Sequence, residues 1–279
     1  MRRHQRSEIE TMSQSHRARK RFGQNFLRDQ NVVRAIVAAA QLAPEDKVVE
    51  IGPGHGALTH IIAPAVSQMH LMEIDRDLAA EWDACTHAGV VVHTGDALQL
   101  EWEDFLCEPP YKLVANLPYN ISSQILFKVI QHRDLFSTLV LMFQKEVAQR
   151  LRALPGTKNY GILTVLCQLW FDVEPVISVA PQAFTPQPKV DSEVLRFTKL
   201  KQVRAHVEDP HMFIRVVKAA FAQRRKTLRN SLQSQGFDGP NIDGAAALID
   251  IDLKRRGETL DLAEFAALTN ALNQFEHSA

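Results

Sequence analysis

The stretch Glu50-Ile-Gly-Pro-Gly-His-Gly-Ala-Leu-Thr59 places Gly52, Gly54 and Gly56 directly after a short apolar run and before a segment of helical period. Glycine at a strand-to-helix turn takes positive φ readily and lets backbone approach a ligand closely. A dinucleotide site at this location spaces its glycines Gly-x-Gly-x-x-Gly. Here the third glycine comes one residue early, a spacing that fits S-adenosylmethionine, which has no pyrophosphate to rest on a helix N-terminus. Glu73 ends the next apolar run, where a carboxylate accepts hydrogen bonds from ribose hydroxyls. Asp96, in Thr94-Gly-Asp-Ala97, follows the third run and is placed to accept from an adenine amino group. Each acid alone also reads as a helix N-cap. Three matched positions on three successive strand ends favour a ligand pocket.

Asn116-Leu-Pro-Tyr119 ends a fourth apolar run, at the edge of the sheet where open α/β folds bind ligands. An exocyclic adenine amine is a poor nucleophile because its lone pair is delocalised into the ring. If the Asn116 side-chain oxygen and the Leu117 carbonyl accept its two hydrogens, the nitrogen is drawn toward tetrahedral geometry and its lone pair can meet a sulfonium methyl. Pro118 holds that carbonyl and Tyr119 offers a π-face to the base. Such a transfer needs in-line approach more than a general base, so no metal site is expected. His55, inside the glycine turn, reads as solvent-facing.

Parallel strand-helix units are expected to position these residues. Residues 47–51, 69–74, 90–94, 112–115 and 139–143 read as strands, with helices over 32–42, 57–62, 77–85, 123–131 and 161–169. Two more strands, 175–179 and 192–198, flank a Pro-rich connection over 181–188 that belongs outside the sheet. Beyond the polar stretch 201–210 everything has helical period. The expected division is a basic extension over 1–18, a ligand-binding domain over 19–203 and a small helical domain over 204–279.

The 279 residues are 46% hydrophobic, enough for a sizeable core. No apolar run is long enough to span a bilayer and no secretory signal opens the chain, so a cytoplasmic location is expected. The three cysteines, Cys85, Cys107 and Cys167, are far apart and form neither a disulfide framework nor a zinc pattern. Lys and Arg balance Asp and Glu overall, 32 against 32, yet basic residues gather in the first thirty positions, Arg21 among them. A second gathering includes Arg224, Arg225 and Lys226, with no acid between Pro210 and Phe237. Local basic patches on a neutral chain point to a polyanionic partner.

Several segments together resemble the ribosomal RNA adenine dimethylase family, most closely its small-subunit (16S) branch. They are Lys20-Arg-Phe-Gly-Gln-Asn-Phe-Leu27, the glycine turn, Glu73-Ile-Asp-Arg-Asp-Leu78, Asn116-Leu-Pro-Tyr-Asn-Ile-Ser-Ser123, Gln144-Lys-Glu146, Phe184-Thr-Pro-Gln-Pro-Lys-Val-Asp-Ser192 and Phe221-Ala-Gln-Arg-Arg-Lys-Thr-Leu228. The resemblance covers nearly the whole chain after about Arg19. It implies a Rossmann-like class I methyltransferase fold, α/β with a seven-stranded, mostly parallel sheet, followed by a small C-terminal all-helical domain. It implies S-adenosylmethionine as cofactor, with Asn25, Leu27, Gly52, Gly54, Glu73, Asp96 and Asn116 around it. Asn116, Leu117, Pro118 and Tyr119 act on the target adenine, and Phe184 stacks on it opposite Tyr119.

The implied reaction is N6,N6-dimethylation of two adjacent adenosines in a hairpin near the 3′ end of 16S rRNA, by a monomer that also serves subunit biogenesis. Arg21, Arg224, Arg225 and Lys226 are the expected RNA contacts. Three alternatives leave something over. A nicotinamide dehydrogenase has the wrong glycine spacing, a non-catalytic assembly factor gives Asn116, Tyr119 and Phe184 no task, and a 23S adenine dimethylase matches the Asn116 and Arg224 segments less well.

Overall fold

The computed structural model describes residues 24–84 and 88–277. Arg21, the extension over 1–18 and Cys85 lie outside the described residues. In chain order the elements are β1 (Phe26–Leu27), α1 (Gln30–Ala40), β2 (Lys47–Ile51), α2 (Thr59–Ile62), β3 (Gln68–Glu73), α3 (Arg76–Ala84), β4 (Val90–Thr94), β5 (Tyr111–Asn116), α4 (Ser122–Gln131) and β6 (Phe136–Gln144). Then come α5 (Lys145–Leu151), α6 (Ile162–Trp170), β7 (Phe171–Val179), β8 (Phe184–Thr185), β9 (Ser192–Lys199), α7 (Pro210–Phe221), α8 (Leu228–Ser234), α9 (Gly239–Leu248) and α10 (Leu262–His277).

Seven strands form one sheet in the order β4-β3-β2-β5-β6-β9-β7. The pairs from β4 through β6 are parallel, and β9 runs antiparallel to β6. The order turns back between β2 and β5, the kind of switch point where the carboxyl ends of strands leave a crevice for a ligand. Parallel strands covered by helices on both faces require near-continuous apolar sequence. Val48, Val49, Leu113, Val114, Leu139, Val140 and Leu141 meet that requirement and are buried. Each such side chain contributes about 1.5–3 kcal/mol on leaving water. Pro175 is tolerated inside β7 because β7 is an edge strand.

Helix α1 shows how local sequence directs this packing. Asp29 caps it, its carboxylate accepting the Asn31 N–H at 2.8 Å, and Val32, Val33, Ile36 and Ala40 fall on the buried face. The connection after β7 does lie outside the large sheet, as expected. It is more ordered than a loop, however, because Phe184–Thr185 pairs antiparallel with Phe26–Leu27 in a separate two-stranded sheet. Arg28 N–H donates to the Ala183 carbonyl at 2.7 Å and extends that stitch.

Two compact units result. The first comprises the described residues up to Ala148 together with Glu174–Thr198, and the second comprises Gln149–Val173 with the residues from Lys199 on. The expected boundary at 203–204 misses the 149–173 segment. Aromatic packing is the reason. Trp170 meets Phe213 edge-on at 6.0 Å and Tyr160 meets Phe221 at 6.0 Å, both within the second unit. Phe213 and Val217 of α7, Leu228 of α8, Ile242 of α9 and Phe265 of α10 complete the core of that unit. No helix among the described residues is long and apolar enough to cross a membrane.

A histidine pair sits in the first unit. His70 Nδ1 and His93 Nε2 are 2.9 Å apart, and His93 stacks on Phe105 at 3.8 Å. His70 Nε2 is buried with no hydrogen-bond partner among the described residues. Burial, helped by His93 and Lys47, pushes the His70 imidazole down to about 4. The folded value lies below the unfolded one, so the unfolded chain takes up the proton first and stability is lost as pH falls from about 6.5 toward 4. A melting temperature that declines across this window in the native protein, and declines less in His70→Leu, is the expected result. Equal decline in both proteins would exclude His70 as the cause.

Candidate active site

The carboxyl ends of β2, β3 and β5 surround a cavity of about 530 Å³, within the size range of cofactor pockets. Its wall brings together Asn25, Leu27, Gly52, Gly54, Glu73, Asp96, Asn116, Leu117, Pro118 and Tyr119. All of these belong to the first unit. Arg224, Arg225 and Lys226 belong to the second.

The turns that carry the wall are spaced by a hydrogen-bond ladder running past the strand ends. Gly52 N–H donates to the Met72 carbonyl and Gly95 N–H to the Glu73 carbonyl, each at 2.8 Å. Gly52 has φ +69° and open space where a side chain would begin, so its backbone conformation is what calls for glycine there. Gly56 is different. A Cβ at Gly56 would lie 2.4 Å from the Trp82 ring, and Trp82 Nε1 donates to the Gly54 carbonyl at 3.0 Å. The early third glycine is therefore set by packing of the turn on α3.

Glu73 supports the same turn. One carboxylate oxygen accepts the Gly54 N–H at 3.3 Å and the other the Asp75 N–H at 2.9 Å, leaving further lone pairs for a ligand. Burial raises its pKa against those hydrogen bonds. Asp96 uses Oδ1 to accept the Leu98 N–H at 2.9 Å. Glu50 is deeper, buried and bonded by the Thr59 hydroxyl at 2.6 Å. Burial pushes its carboxyl up to about 8, opposed by that hydroxyl and reinforced by the Glu73 charge. His55 is covered more than the solvent-facing reading allowed. The Phe26 ring lies 4.3 Å from it, because β1 folds over the turn.

At the end of β5, Asn116 Nδ2 donates to the Asn25 carbonyl at 3.1 Å. That bond commits the amide nitrogen, so Oδ1 is the atom left to accept from a ligand. Tyr119 is half-buried, and its hydroxyl meets the Ser192 hydroxyl at 2.6 Å, which anchors the far end of the ring. The arrangement sets the carboxyls of Glu73 and Asp96 beside an amide acceptor and an aromatic ring.

Residues 15–268 match the ribosomal RNA adenine dimethylase family. The chain belongs to that family. Among its relatives, the ribosomal RNA small subunit methyltransferase A of Syntrophotalea carbinolica is 60% identical over 262 residues, covering 92% of this chain and 98% of that one. The protein of the same name from Geobacter sulfurreducens is 48% identical, covering 92% and 95%. Of solved structures, a dimethyladenosine transferase from Plasmodium falciparum superposes with TM-score 0.72 at 27% identity, covering 89% of this chain and 98% of that one. The 23S rRNA methyltransferase ErmE gives 0.63 at 26%, covering 90% and 100%. As a member of the family the chain is an rRNA methyltransferase, and its sheet is that of the Rossmann-like methyltransferases.

Phe184 is the expected site residue that the fold of this dimethylase keeps apart. It is 2% exposed, packs in the core with Leu27 and Val194, and does not line the cavity. Phe184→Ala should therefore cost about 3–5 kcal/mol of stability, read by chemical denaturation. Unchanged stability with weakened RNA binding would return Phe184 to a stacking role alone.

Phe26, Trp82, Glu50 and Ser192 were not singled out as site residues from the sequence. An acid in the otherwise apolar run 47–51 was the signal available for Glu50. Ser192 closes the Phe184–Ser192 motif, but its hydroxyl bond to Tyr119 spans 73 residues of chain.

Proposed function

We propose that this methyltransferase takes its methyl group from S-adenosylmethionine and dimethylates N6 of two adjacent adenosines in a hairpin near the 3′ end of small-subunit (16S) rRNA. The observation that carries the reading is the Asn116 amide on the cavity wall, whose Nδ2 donates to the Asn25 carbonyl at 3.1 Å and whose Oδ1 remains as its acceptor. The cleft's chemistry fits the cofactor. Glu73 accepts from the ribose and Asp96 from the adenine amine. When bound, that cofactor supplies an electrophilic methyl group. Asn116 Oδ1 and the Leu117 carbonyl accept the two amine hydrogens of the target base, and Tyr119 covers one face of its ring. The base must leave its stack to reach them.

The helical unit supplies the RNA contacts. The expected basic cluster does not lie along a helix: α7 ends at Phe221, α8 starts at Leu228, and residues 222–226 form the turn between them. Arg224 is committed to Glu258 at 3.0 Å and to the Lys158 carbonyl at 2.6 Å. Arg225 and Lys226 are exposed beside it and are the members placed to meet phosphate. Replacing both with Ala should weaken RNA binding and flatten the salt dependence of log affinity by up to about 1.4, at about 0.7 per phosphate for single strands. Cofactor affinity should not move. Filter binding at several salt concentrations checks this, and an unchanged slope would place the RNA elsewhere.

The direct test incubates the protein with methyl-labelled S-adenosylmethionine and, separately, unmethylated small and large ribosomal subunits. Label on the small subunit is expected. Label on the large subunit alone, or on neither, contradicts the reading.

A further inference from the structure

We infer that Lys128 is a positioning residue for the cofactor's adenine, acting by clamping the turn that carries Asp96. The inference rests on the reading that the cavity takes S-adenosylmethionine with Asp96 toward the adenine. Asp96 lies on neither strand nor helix but on the turn after β4, and a polar group on a loop is placed only as well as its anchors hold it. Part of the turn is tied internally: the Asp96 carbonyl accepts from Gln99 N–H at 2.8 Å and Leu100 N–H at 2.9 Å. With Oδ1 used by the Leu98 N–H, Oδ2 is the oxygen available to a ligand.

The remaining anchors come from outside the turn. Trp102 Nε1 donates to the Ala97 carbonyl at 3.0 Å. Lys128 Nζ donates to the Leu98 carbonyl at 3.1 Å and the Leu100 carbonyl at 2.5 Å, and it stands 5.1 Å from the centre of the Trp102 ring. Two carbonyls and an aromatic face therefore occupy this ammonium, which is only partly exposed. Charge-assisted bonds of this kind are stronger than neutral ones. They hold carbonyls on both sides of Gln99, so the Asp96 turn cannot tilt without breaking one.

Lys128 is carried by α4, the helix that begins at Ser122, three residues after the Asn116–Tyr119 loop. At 1.5 Å rise per residue the helix carries Lys128 about 9 Å from its start. One rigid element thus runs from the loop that receives the target amine to the turn that receives the cofactor's adenine. Lys128 fixes the separation of the two.

Lys128→Met keeps the length of the side chain and removes its donors. By calorimetry its S-adenosylmethionine Kd should rise about tenfold, the scale of one lost charge-assisted hydrogen bond, while kcat at saturating cofactor stays within about twofold. Lys128→Arg, which can still donate to two carbonyls, should recover most of the affinity. Because the effect passes through Asp96, adding Lys128→Met to Asp96→Ala should weaken binding no further. A lowered melting temperature with unchanged Kd, or full additivity with Asp96→Ala, would overturn the inference and leave Lys128 a structural residue. If the native protein itself fails to bind S-adenosylmethionine, the cofactor reading and this inference fall together. Binding by the native protein with an equal Kd for Lys128→Met overturns the inference alone.

Discussion

Asn116→Ala should lower turnover by a factor of roughly 10²–10³ or more at saturating cofactor, the range seen when one preorganised hydrogen-bond partner of a transition state is removed. The reason is geometric. Asn116 Nδ2 donates to the Asn25 carbonyl, so Oδ1 is the side-chain atom left to accept from a base, and methyl transfer requires the amine lone pair to be freed from the ring. Asn116→Asp separates orientation from mere acceptance. It retains an acceptor but sets a second oxygen against the Asn25 carbonyl, and it should recover little activity. Single-turnover rates with bound RNA check both variants. A fully active Asn116→Ala enzyme is the outcome the mechanism cannot survive.

The second large effect is expected at Gly56. This residue has φ +80°, and a Cβ there would lie 2.4 Å and 2.7 Å from two Trp82 ring atoms and 2.8 Å from His60 Nε2. Trp82 is buried and hydrogen-bonded to the Gly54 carbonyl, so it cannot retreat without disturbing the glycine turn. Left-handed backbone costs a side-chain-bearing residue about 1–2 kcal/mol, and overpacking adds about 1–3 kcal/mol. Gly56→Ala should therefore melt well below the native protein and bind S-adenosylmethionine at least about tenfold more weakly. Thermal unfolding and calorimetry check the two parts. Native stability together with native affinity would show that Trp82 is free to move.

Much of this architecture could be read from the chain. The sheet strands were expected within a few residues of where they lie, because buried parallel strands demand apolar runs and the turns between them demand glycine or proline. The residues at the ends of β2, β3 and β5 converge because a parallel sheet brings its carboxyl edges together whatever the loops contain. Long-range partnerships were not legible in the same way. The pairing of Phe26–Leu27 with Phe184–Thr185 joins two-residue strands with no periodicity to detect. Gly56 looked like a ligand glycine until Trp82 was beneath it. Arg224 belonged to a basic cluster until Glu258, 34 residues away, claimed it. Residues 149–173 join the helical unit through Tyr160 and Trp170, whose partners lie across the chain. Phe184, read as a stacking partner, is buried beside Leu27 because the short β1–β8 pairing holds both.

The cleft is proposed to direct methyl groups to an exocyclic adenine amine on small-subunit RNA. Mass spectrometry of nuclease fragments from unmethylated small subunits treated with the protein and S-adenosylmethionine tests it most directly. Two adjacent N6,N6-dimethyladenosines are expected in one fragment from near the 3′ end, absent when Asn116→Ala replaces the native protein. Methyl groups on ring nitrogens, on ribose or on another base, or the same product from Asn116→Ala, would contradict it.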